Sequence, residues 1–413
     1  MYFANPYIPT ADQKEIWQSA VYIVEGKMDQ LNVVYLSWFP QQKSLILIIA
    51  LLMRTFGNHI KIIWLPMGFL SALIIPFLIR KLAGIYGVSG SDCIYLDVFL
   101  ILFVPIPLYS VYFYGNLPAL ALSLFSFYTT EQLIKNGNTR YLILTALSAV
   151  LAVLIYQYAL ICVIAVIVRI LFELIHTRKQ IRTSLLLILL LMAGAVILPA
   201  WLNNTLFTDI TGMPASKGFP TSRTIAMGIS VTEQYGLTGT GSYNASFDNV
   251  YEECNYNINE TDRIFRDEIS AVLHQYMNHE RSPKFFVEKT VYQWLDPWFA
   301  SLGIVAETTM QSYPDCLFIR VMSCLAKPME VMLTMLLSIV YFMALVGLVV
   351  RARERKALSV CEIYFFGLFL FQLVWEQRSR YCLPAFVACV LIGAEGMQAF
   401  LQWNAHKITT GEK

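Results

Sequence analysis

Long apolar segments separated by short polar stretches dominate the pattern of this chain. We predict nine membrane-spanning helices, because about 20 predominantly apolar residues are what a helix needs to cross a bilayer. In lipid, each segment must close its own backbone hydrogen bonds, so the spans are helical. The predicted spans cover residues 60–79, 92–111, 118–133, 141–155, 159–175, 184–202, 331–350, 359–374 and 383–401. The pattern therefore predicts an all-α polytopic membrane protein.

Lysine and arginine residues cluster in every second connection between these segments. The clusters lie at residues 80–81, 135–140, 178–182 and 351–356 and around Lys407. The positive-inside rule places them in the cytoplasm, together with the C-terminus. Because the number of spans is odd, the N-terminus lies outside, and we expect a multi-pass protein of the cell membrane. Three polar segments then meet on the outer face, and they lie around Asp12, at residues 203–327 and at residues 375–381.

Four regions follow from this topology. Residues 1–59 form an outer first loop, residues 60–202 a first set of transmembrane helices, residues 203–327 a large extracytoplasmic loop, and residues 328–413 the C-terminal helices and a cytoplasmic tail. Within the first loop we expect two helices along the outer membrane surface, since the second has only about ten consecutive apolar residues. An outer N-terminus without a leading span predicts a further apolar helix upstream of Met1.

The composition agrees with a membrane protein. Of 413 residues, 57% are hydrophobic and 14% are charged, and the net charge of +2 gives no basis for binding nucleic acid. The eight cysteines include no C-x-x-C pair and no paired histidine ligands accompany them, so we predict no zinc site and no cofactor. The acidic residues Asp248, Glu252 and Glu253 are the candidates for a divalent metal, and a solvated cluster is the simpler interpretation.

Asp12 is the first candidate for chemistry. A carboxylate on the outer surface could accept the proton of an attacking hydroxyl, as a general base does in single-displacement glycosyl transfer. The alternative is structural, because Asp12 and Glu15 have the spacing of a capping box, in which Asp12 caps a helix and Glu15 reaches back. The two roles are compatible, since a cap also fixes the side chain.

Polar residues in two further segments are candidates for binding. Arg378 and Arg380, with Glu376 beside them, could hold a phosphate, because the arginine side chain offers a planar fork of donors. Alternatively, both arginines sit among lipid headgroups with Glu376 as an ion-pair partner. Gln41 and Gln42 could hydrogen-bond sugar hydroxyls, or they could belong to a plain turn.

Five strings occur along the chain in a familiar order. They are residues 9–13 (Pro-Thr-Ala-Asp-Gln), 39–42 (Phe-Pro-Gln-Gln), 112–118 (Tyr-Phe-Tyr-Gly-Asn-Leu-Pro), 289–297 (Lys-Thr-Val-Tyr-Gln-Trp-Leu-Asp-Pro) and 375–384 (Trp-Glu-Gln-Arg-Ser-Arg-Tyr-Cys-Leu-Pro). Together they resemble the GT-C glycosyltransferase superfamily, which includes protein O-mannosyltransferases and the aminoarabinose transferase of lipid A. The resemblance is to a Gram-positive bacterial branch, and it covers nearly the whole chain through motifs that are individually degenerate.

The resemblance implies a GT-C-like bundle that transfers a sugar from a polyprenyl-phosphate donor to a glycan, lipid or protein acceptor on the extracytoplasmic face. It implies Asp12 as the base and a phosphate site formed by Arg378, Arg380 and Glu376. The sugar and the acceptor would contact residues from several segments, which are Gln41, Gln42, Asn116, Trp294, Asp296 and Tyr381.

The chain departs from the GT-C pattern at two places, and two other functions stay open. Asn116 stands where an acidic residue is frequent, and residues 156–158 (Tyr-Gln-Tyr) stand where related sequences have a lysine and an asparagine. A polysaccharide polymerase or ligase would rely on loop arginines, here Arg223, Arg263, Arg266, Arg281 and Arg320. A lipid or glycan flippase would need charges along a path through the membrane, where the predicted spans offer Asp97, Arg169 and Glu395.

Overall fold

A computed structural model describes residues 9–88, 93–176, 179–234, 237–312 and 317–410. The helices in order are α1 (Ala11–Glu25), α2 (Val33–Trp38), α3 (Lys43–Phe56), α4 (Ile60–Ile85), α5 (Ile94–Leu102), α6 (Pro105–Tyr109), α7 (Asn116–Asn136), α8 (Arg140–Ile155), α9 (Leu160–His176), α10 (Lys179–Trp201), α11 (Phe207–Thr211), α12 (Thr221–Ile229), α13 (Ser246–Glu253), α14 (Ile258–Met277), α15 (Lys284–Trp294), α16 (Ser301–Ser312), α17 (Leu317–Arg353), α18 (Val360–Val374) and α19 (Leu383–Thr410). A π-helical turn, Leu202–Leu206, joins α10 to α11. Strands β1 (Val231–Gln234) and β2 (Leu237–Thr240) pair as one antiparallel hairpin. The predicted helical class is therefore confirmed.

Several of these helices are long and apolar enough to cross a membrane, as judged by length and composition. In the described part of the chain there are 5, and they are Ile60–Ile85, Gln157–Ile175, Leu185–Thr211, Ile319–Arg353 and Leu383–Trp403. Two shorter apolar helices, Arg140–Ile155 and Val360–Val374, accompany them. The helices suggest a membrane protein, which is the general part of the prediction, without its number of spans.

The remaining predicted spans differ from a simple apolar helix. The span predicted at 92–111, whose first residue lies outside the described residues, is broken into α5 and α6 around Phe103. Pro105 and Pro107 explain the break, because proline lacks the N–H that a continuous helix needs. The span predicted at 118–133 lies within α7. Helix α7 buries several hydroxyl-bearing side chains and one acid, and this polar content sets it apart from the five long spans.

Glycines allow two of the long helices, α17 and α19, to pack closely. A Cβ atom added at Gly396 would lie 1.9 Å from the Met343 carbonyl oxygen, and one added at Gly347 would lie 2.4 Å from the Ile392 carbonyl oxygen. Small residues at such crossings are how helices approach each other in membranes. The crossing holds α19, which follows the polar string at residues 375–381, against α17.

The segment between α11 and α16 forms a cap on that string. Helices α12, α13 and α14 enclose a small core of Ala226, Met227, Phe247 and Phe265. The cap joins the string through its backbone, because Gln377 N–H donates to the Gly241 carbonyl at 2.7 Å. The described residues of this segment are folded and lie against one end of α18. They cover only part of the loop predicted at 203–327, because the apolar helices Leu185–Thr211 and Ile319–Arg353 overlap its ends.

The other end of α18 is held by buried ion pairs. Arg169 contacts Glu131 at 3.3 Å and Glu173 at 3.0 Å, and Arg351 contacts Glu395 at 2.7 Å. Ser359 and Glu362 form a capping box at the start of α18, and Glu362 also faces Arg351 at 3.0 Å. Asp97 pairs with Arg80 at 3.3 Å. These charges are satisfied in pairs rather than arranged along a path through the bundle.

Candidate functional site

Asp12 lies in the first turn of α1 and does not cap it. The helix begins at Ala11, and the preceding residue, Thr10, has extended backbone angles and gives no side-chain cap. The predicted capping box is therefore wrong, and Glu15 instead accepts a hydrogen bond from Asn32 Nδ2 at 3.1 Å. The neighbouring Gln13 accepts a hydrogen bond from Phe113 N–H at 2.9 Å, and this contact brings α1 against the turn before α7.

Three tyrosine hydroxyls lie around the Asp12 carboxylate. Burial, followed by the negative charge of Asp12, raises the pKa of Tyr35 and of Tyr114. Burial also raises the pKa of Tyr112, to about 12; there the positive charge of Arg380 opposes the shift and the charge of Asp12 adds to it. Tyr112 is thus affected by both charges, although Asp12 and Arg380 lie near opposite ends of the sequence.

The guanidinium group of Arg380 is enclosed by aromatic rings. Its Nη1 donates to the Tyr112 hydroxyl at 2.9 Å, and its Nη2 donates to the Tyr381 hydroxyl at 3.3 Å. It also lies over two rings, with centroids at 5.6 Å for Tyr114 and 5.1 Å for Tyr381. The third donor position, Nε, is buried and has no hydrogen-bond partner among the described residues. Arg380 is therefore held in place, and its Nε–H has no acceptor among the described residues.

A narrow cavity that is open on one side lies beside Arg380. Asn116 Oδ1 and the Tyr156 hydroxyl also line it, and both are buried without a partner in the part of the chain that the structure describes. A buried polar group left unpaired costs about 1–3 kcal/mol, so three of them at one cavity indicate a place for a polar ligand group. The lining also includes apolar side chains, among them Leu120 and Leu368.

Tyr381 lines this cavity, whereas Gln42 is joined to it only through Tyr114. Gln42 Nε2 donates to the Tyr114 hydroxyl at 2.8 Å, and the ring of Tyr114 lies against the Arg380 guanidinium. Tyr381 stacks on Tyr158, with ring centroids 4.7 Å apart, and both line the cavity. Gln41 is not among the described residues that line it.

Glu376 and Arg378 form a pair at the side of the site rather than in the cavity. Arg378 Nε lies 3.0 Å from Glu376 Oε1, and the side chain of Arg378 is exposed. Its guanidinium lies 5.8 Å from the centre of the Tyr243 ring in the cap. The two arginines of the string are thus separated, with Arg380 in the cavity and Arg378 beneath the cap.

Trp294 and Asp296 do not line the cavity and instead contact α18 and the 375–381 string. Trp294 is buried against Phe365 and Phe369 of α18, with ring centroids at 5.7 and 5.5 Å. Asp296 accepts hydrogen bonds from the backbone of the turn after α15, and its Oδ2 also accepts from Ser379 Oγ at 2.6 Å. The geometry assigns both residues to holding the 375–381 string in position.

Lys289 is a buried contact between the cap and the string. Its Nζ donates to the carbonyl oxygens of Gly228 at 2.5 Å, Leu373 at 3.1 Å and Trp375 at 2.5 Å. Burial lowers the pKa of Lys289 to about 7, although three carbonyl acceptors match the three donors of the charged ammonium. The lysine closes the C-terminal end of α18, where carbonyl groups lack helical partners.

Lys43 is a second buried lysine near the site, and the sequence analysis missed it. It follows Gln42 directly, its side chain is fully buried, and its Nζ lies 5.2 Å from the centre of the Phe207 ring. Within the described ranges, this Nζ has no hydrogen-bond partner. Burial lowers the pKa of Lys43. An apolar run follows Lys43 immediately, so the pattern alone gave no sign that the lysine points inward.

The site thus combines Asp12, Gln42, Asn116, Arg380 and Tyr381 with a wall of tyrosines. The pairs Tyr-Phe-Tyr at 112–114 and Tyr-Gln-Tyr at 156–158 were the available sequence signals for that wall. In the residues that the structure describes, no group of three or more histidine, cysteine or acidic side chains is placed to hold a metal ion. No protein-family model, no curated protein and no solved structure matches this chain.

Proposed function

We propose that this chain is an integral membrane glycosyltransferase of the GT-C type, which moves a sugar from a polyprenyl-phosphate donor to an acceptor on the extracytoplasmic face. The observation that carries the proposal is that Tyr112 connects two charges: Asp12 raises its pKa, and Arg380, which lines a cavity with unpaired polar groups, donates a hydrogen bond to its hydroxyl. A carboxylate near a cavity that contains a guanidinium is what acid–base chemistry on a phosphate-linked substrate requires.

The two parts of the cavity fit an amphiphilic donor. Arg380, with its free Nε donor, would bind the phosphate of the carrier, because charge-assisted hydrogen bonds to phosphate are the strong ones. The apolar part beyond it, lined by Leu117, Leu120 and Leu368, would take the first isoprenoid units. The sugar would lie at the mouth, where Gln42, Asn116 and Tyr381 provide amide and hydroxyl groups.

Asp12 would act as the general base. The acceptor hydroxyl attacks the anomeric carbon, a new C–O bond forms, and Asp12 takes the proton of that hydroxyl. The bond from the anomeric carbon to the phosphate oxygen breaks, and its electron pair leaves with the carrier phosphate, which Arg380 stabilises. A single displacement of this kind inverts the anomeric carbon.

The proposal includes the membrane topology. The five long helices, α8, α18, α7 and the broken pair α5–α6 would make nine passages. The basic residues at the end of α17 would lie in the cytoplasm and the 375–381 string outside. The cap would then be the extracytoplasmic cover of the site, with the Glu376–Arg378 pair at its edge.

The contacts of the loop arginines do not favour the polymerase. Arg223 is bound to Asp248, and Arg263 and Arg266 pair with acids on their own helix. The charges that a flippase would need, among them Arg169 and Glu395, are paired near one end of α18.

The test is release of free polyprenyl phosphate from polyprenyl-phosphate sugars by the purified protein in lipid vesicles, with product length measured in parallel. The proposal predicts carrier release and products longer by one sugar. Long repeats would identify a polymerase. Transport across the vesicle membrane without carrier release would identify a flippase.

A further inference from the structure

Helix α15 of the cap exposes an apolar stripe. Val287, Val291 and Leu295 are four residues apart and have exposed fractions of 63%, 45% and 53%. Residues at i, i+4 and i+8 lie along one face of a helix. Tyr292 is exposed as well, whereas the opposite face is buried through Phe285, Lys289 and Gln293. An apolar stripe on a short helix outside the long spans needs a partner that keeps it from water.

The contacts of α15 show that it runs down along α18. Lys289 binds carbonyl groups at the end of α18, at Leu373 and Trp375. Five residues later, the ring of Trp294 lies 5.5 Å from Phe369 and 5.7 Å from Phe365. With a rise of 1.5 Å per residue, Phe369 and Phe365 lie about 7 and 13 Å below the last residue of α18. The C-terminus of α15 therefore lies deeper in the bundle than its N-terminus.

The outer surface of α18 at the same depth is also apolar. Phe366, Leu370 and Val374 are exposed along it. Helix α18 is one of the short apolar helices that accompany the long spans. Whatever covers Leu370 at this depth lies next to the end of α15, because Trp294 packs on Phe369, the residue before Leu370.

The exposed charges of α15 are confined to its beginning. Lys284 and Glu288 pair at 2.9 Å, and both side chains are exposed. Beyond Glu288 the exposed residues are Val291, Tyr292 and Leu295, none of which is charged. The exposed charges thus lie in the part of α15 that is level with the C-terminus of α18, and the uncharged exposed residues lie at its deeper end.

We propose that α15 is an interfacial helix embedded in the outer leaflet, with Lys284 and Glu288 among the headgroups and Val291 and Leu295 against phospholipid acyl chains. Helices with one apolar face and charged flanks bind in this way. The inference rests on the membrane placement in the proposed function and not on its chemistry. Through Lys289, lipid contact at α15 anchors the string that carries Arg380.

The experiment measures the depth of single nitroxide labels by electron paramagnetic resonance. Labels are attached to Val291→Cys and Leu295→Cys, with Asp267→Cys on the exposed side of α14 as the control. The background carries Cys316→Ser and Cys324→Ser, since the other six cysteines are buried. The protein is reconstituted in vesicles of phosphatidylcholine and phosphatidylglycerol. Collision with oxygen reports lipid, and collision with a water-soluble nickel chelate reports water.

We expect the ratio of oxygen to nickel collision to be several-fold higher at positions 291 and 295 than at 267, and higher at 295 than at 291. Ratios equal to that at Asp267→Cys would overturn the proposal and place α15 in water. Labels that are immobile and shielded from both reagents would also overturn it and show a protein partner. If Val291→Cys or Leu295→Cys does not fold, as shown by the loss of its thermal transition, a label at Tyr292→Cys replaces it. The depth measurement does not depend on sugar transfer. If the protein transfers sugar and α15 is nevertheless exposed to water, only this inference is refuted and the proposed function stands.

Discussion

Arg380 donates a hydrogen bond from Nη1 to the hydroxyl of Tyr112 at 2.9 Å, and Asp12 adds to the rise in the pKa of the same hydroxyl. One buried phenol thus connects the N-terminal helix to the last polar string of the chain. The contact keeps the guanidinium pointed at the cavity while Nε stays available to a ligand. Five predictions concern the residues of this site and of the contact between the cap and α18.

Replacing Arg380 by Gln should weaken donor binding. The change removes charge-assisted hydrogen bonds worth about 2 kcal/mol, or about thirtyfold in affinity. Arg378→Gln is the matched control, because its side chain is exposed and lies outside the cavity. Titration with a polyprenyl phosphate in detergent measures both. Equal losses in the two variants would contradict the separation of the two arginines.

Tyr112→Phe should cost about 1 kcal/mol of stability and weaken donor binding less than the Arg380 variant does, because Arg380 keeps its contact with Tyr381. Tyr128→Phe, whose ring packs on Phe125 in α7, serves as the comparison. The thermal midpoint and the donor affinity are the readouts. An unchanged midpoint in Tyr112→Phe would show that its hydroxyl contributes no net hydrogen bond.

Gly228→Ala should separate the cap from the end of α18. A Cβ at Gly228 would lie 2.4 Å from the Val374 carbonyl oxygen, and overpacking of this kind costs about 1–3 kcal/mol. Gly303→Ala is the control, because a Cβ there meets nothing within 4 Å and alanine favours a helix by up to about 1 kcal/mol. The two thermal midpoints should move in opposite directions. A normal midpoint for Gly228→Ala would argue against the close contact.

Lys289 should make stability depend on pH. Its pKa in the folded protein is lowered by burial to about 7, below the ordinary 10.5, so the unfolded state binds more protons between these values. The free energy of unfolding contributed by this group therefore rises as the pH increases from about 7 toward 10. The difference in thermal midpoint between the wild-type protein and Lys289→Met, measured across this range, isolates the group. A difference that does not change with pH would show that the carbonyl contacts keep the lysine charged.

The sequence predicted the helical class because apolar periodicity and length are properties of each segment alone. It named Asn116, Arg380 and Tyr381 as site candidates, and these three line one cavity. It counted residues 92–111 as one span because the average hydropathy of the run is high, although Pro105 and Pro107 interrupt it. The helical class and this break depend on local residues, which a sequence displays.

The errors concern contacts between distant segments. The capping box was wrong because α1 begins at Ala11, before Asp12, and Glu15 pairs with the distant Asn32. Asp296 was taken for a binding residue, whereas its oxygens hold a turn and Ser379. Lys43 was missed because only the packing of α3 near Phe207 turns it inward. Each of these depends on side chains far apart in the sequence, and a single sequence gives no measure of their distance.

The most direct measurement compares Asp12→Asn with Asp29→Asn in the release of polyprenyl phosphate from a polyprenyl-phosphate sugar. Asp29 lies in the same N-terminal segment and is exposed, so it matches the change in charge without touching the site. Removal of a general base lowers turnover by about 10²–10⁴-fold. We predict this loss for Asp12→Asn, with an unchanged thermal midpoint, and ordinary turnover for Asp29→Asn. Full turnover in Asp12→Asn would contradict the assignment of Asp12 as the base.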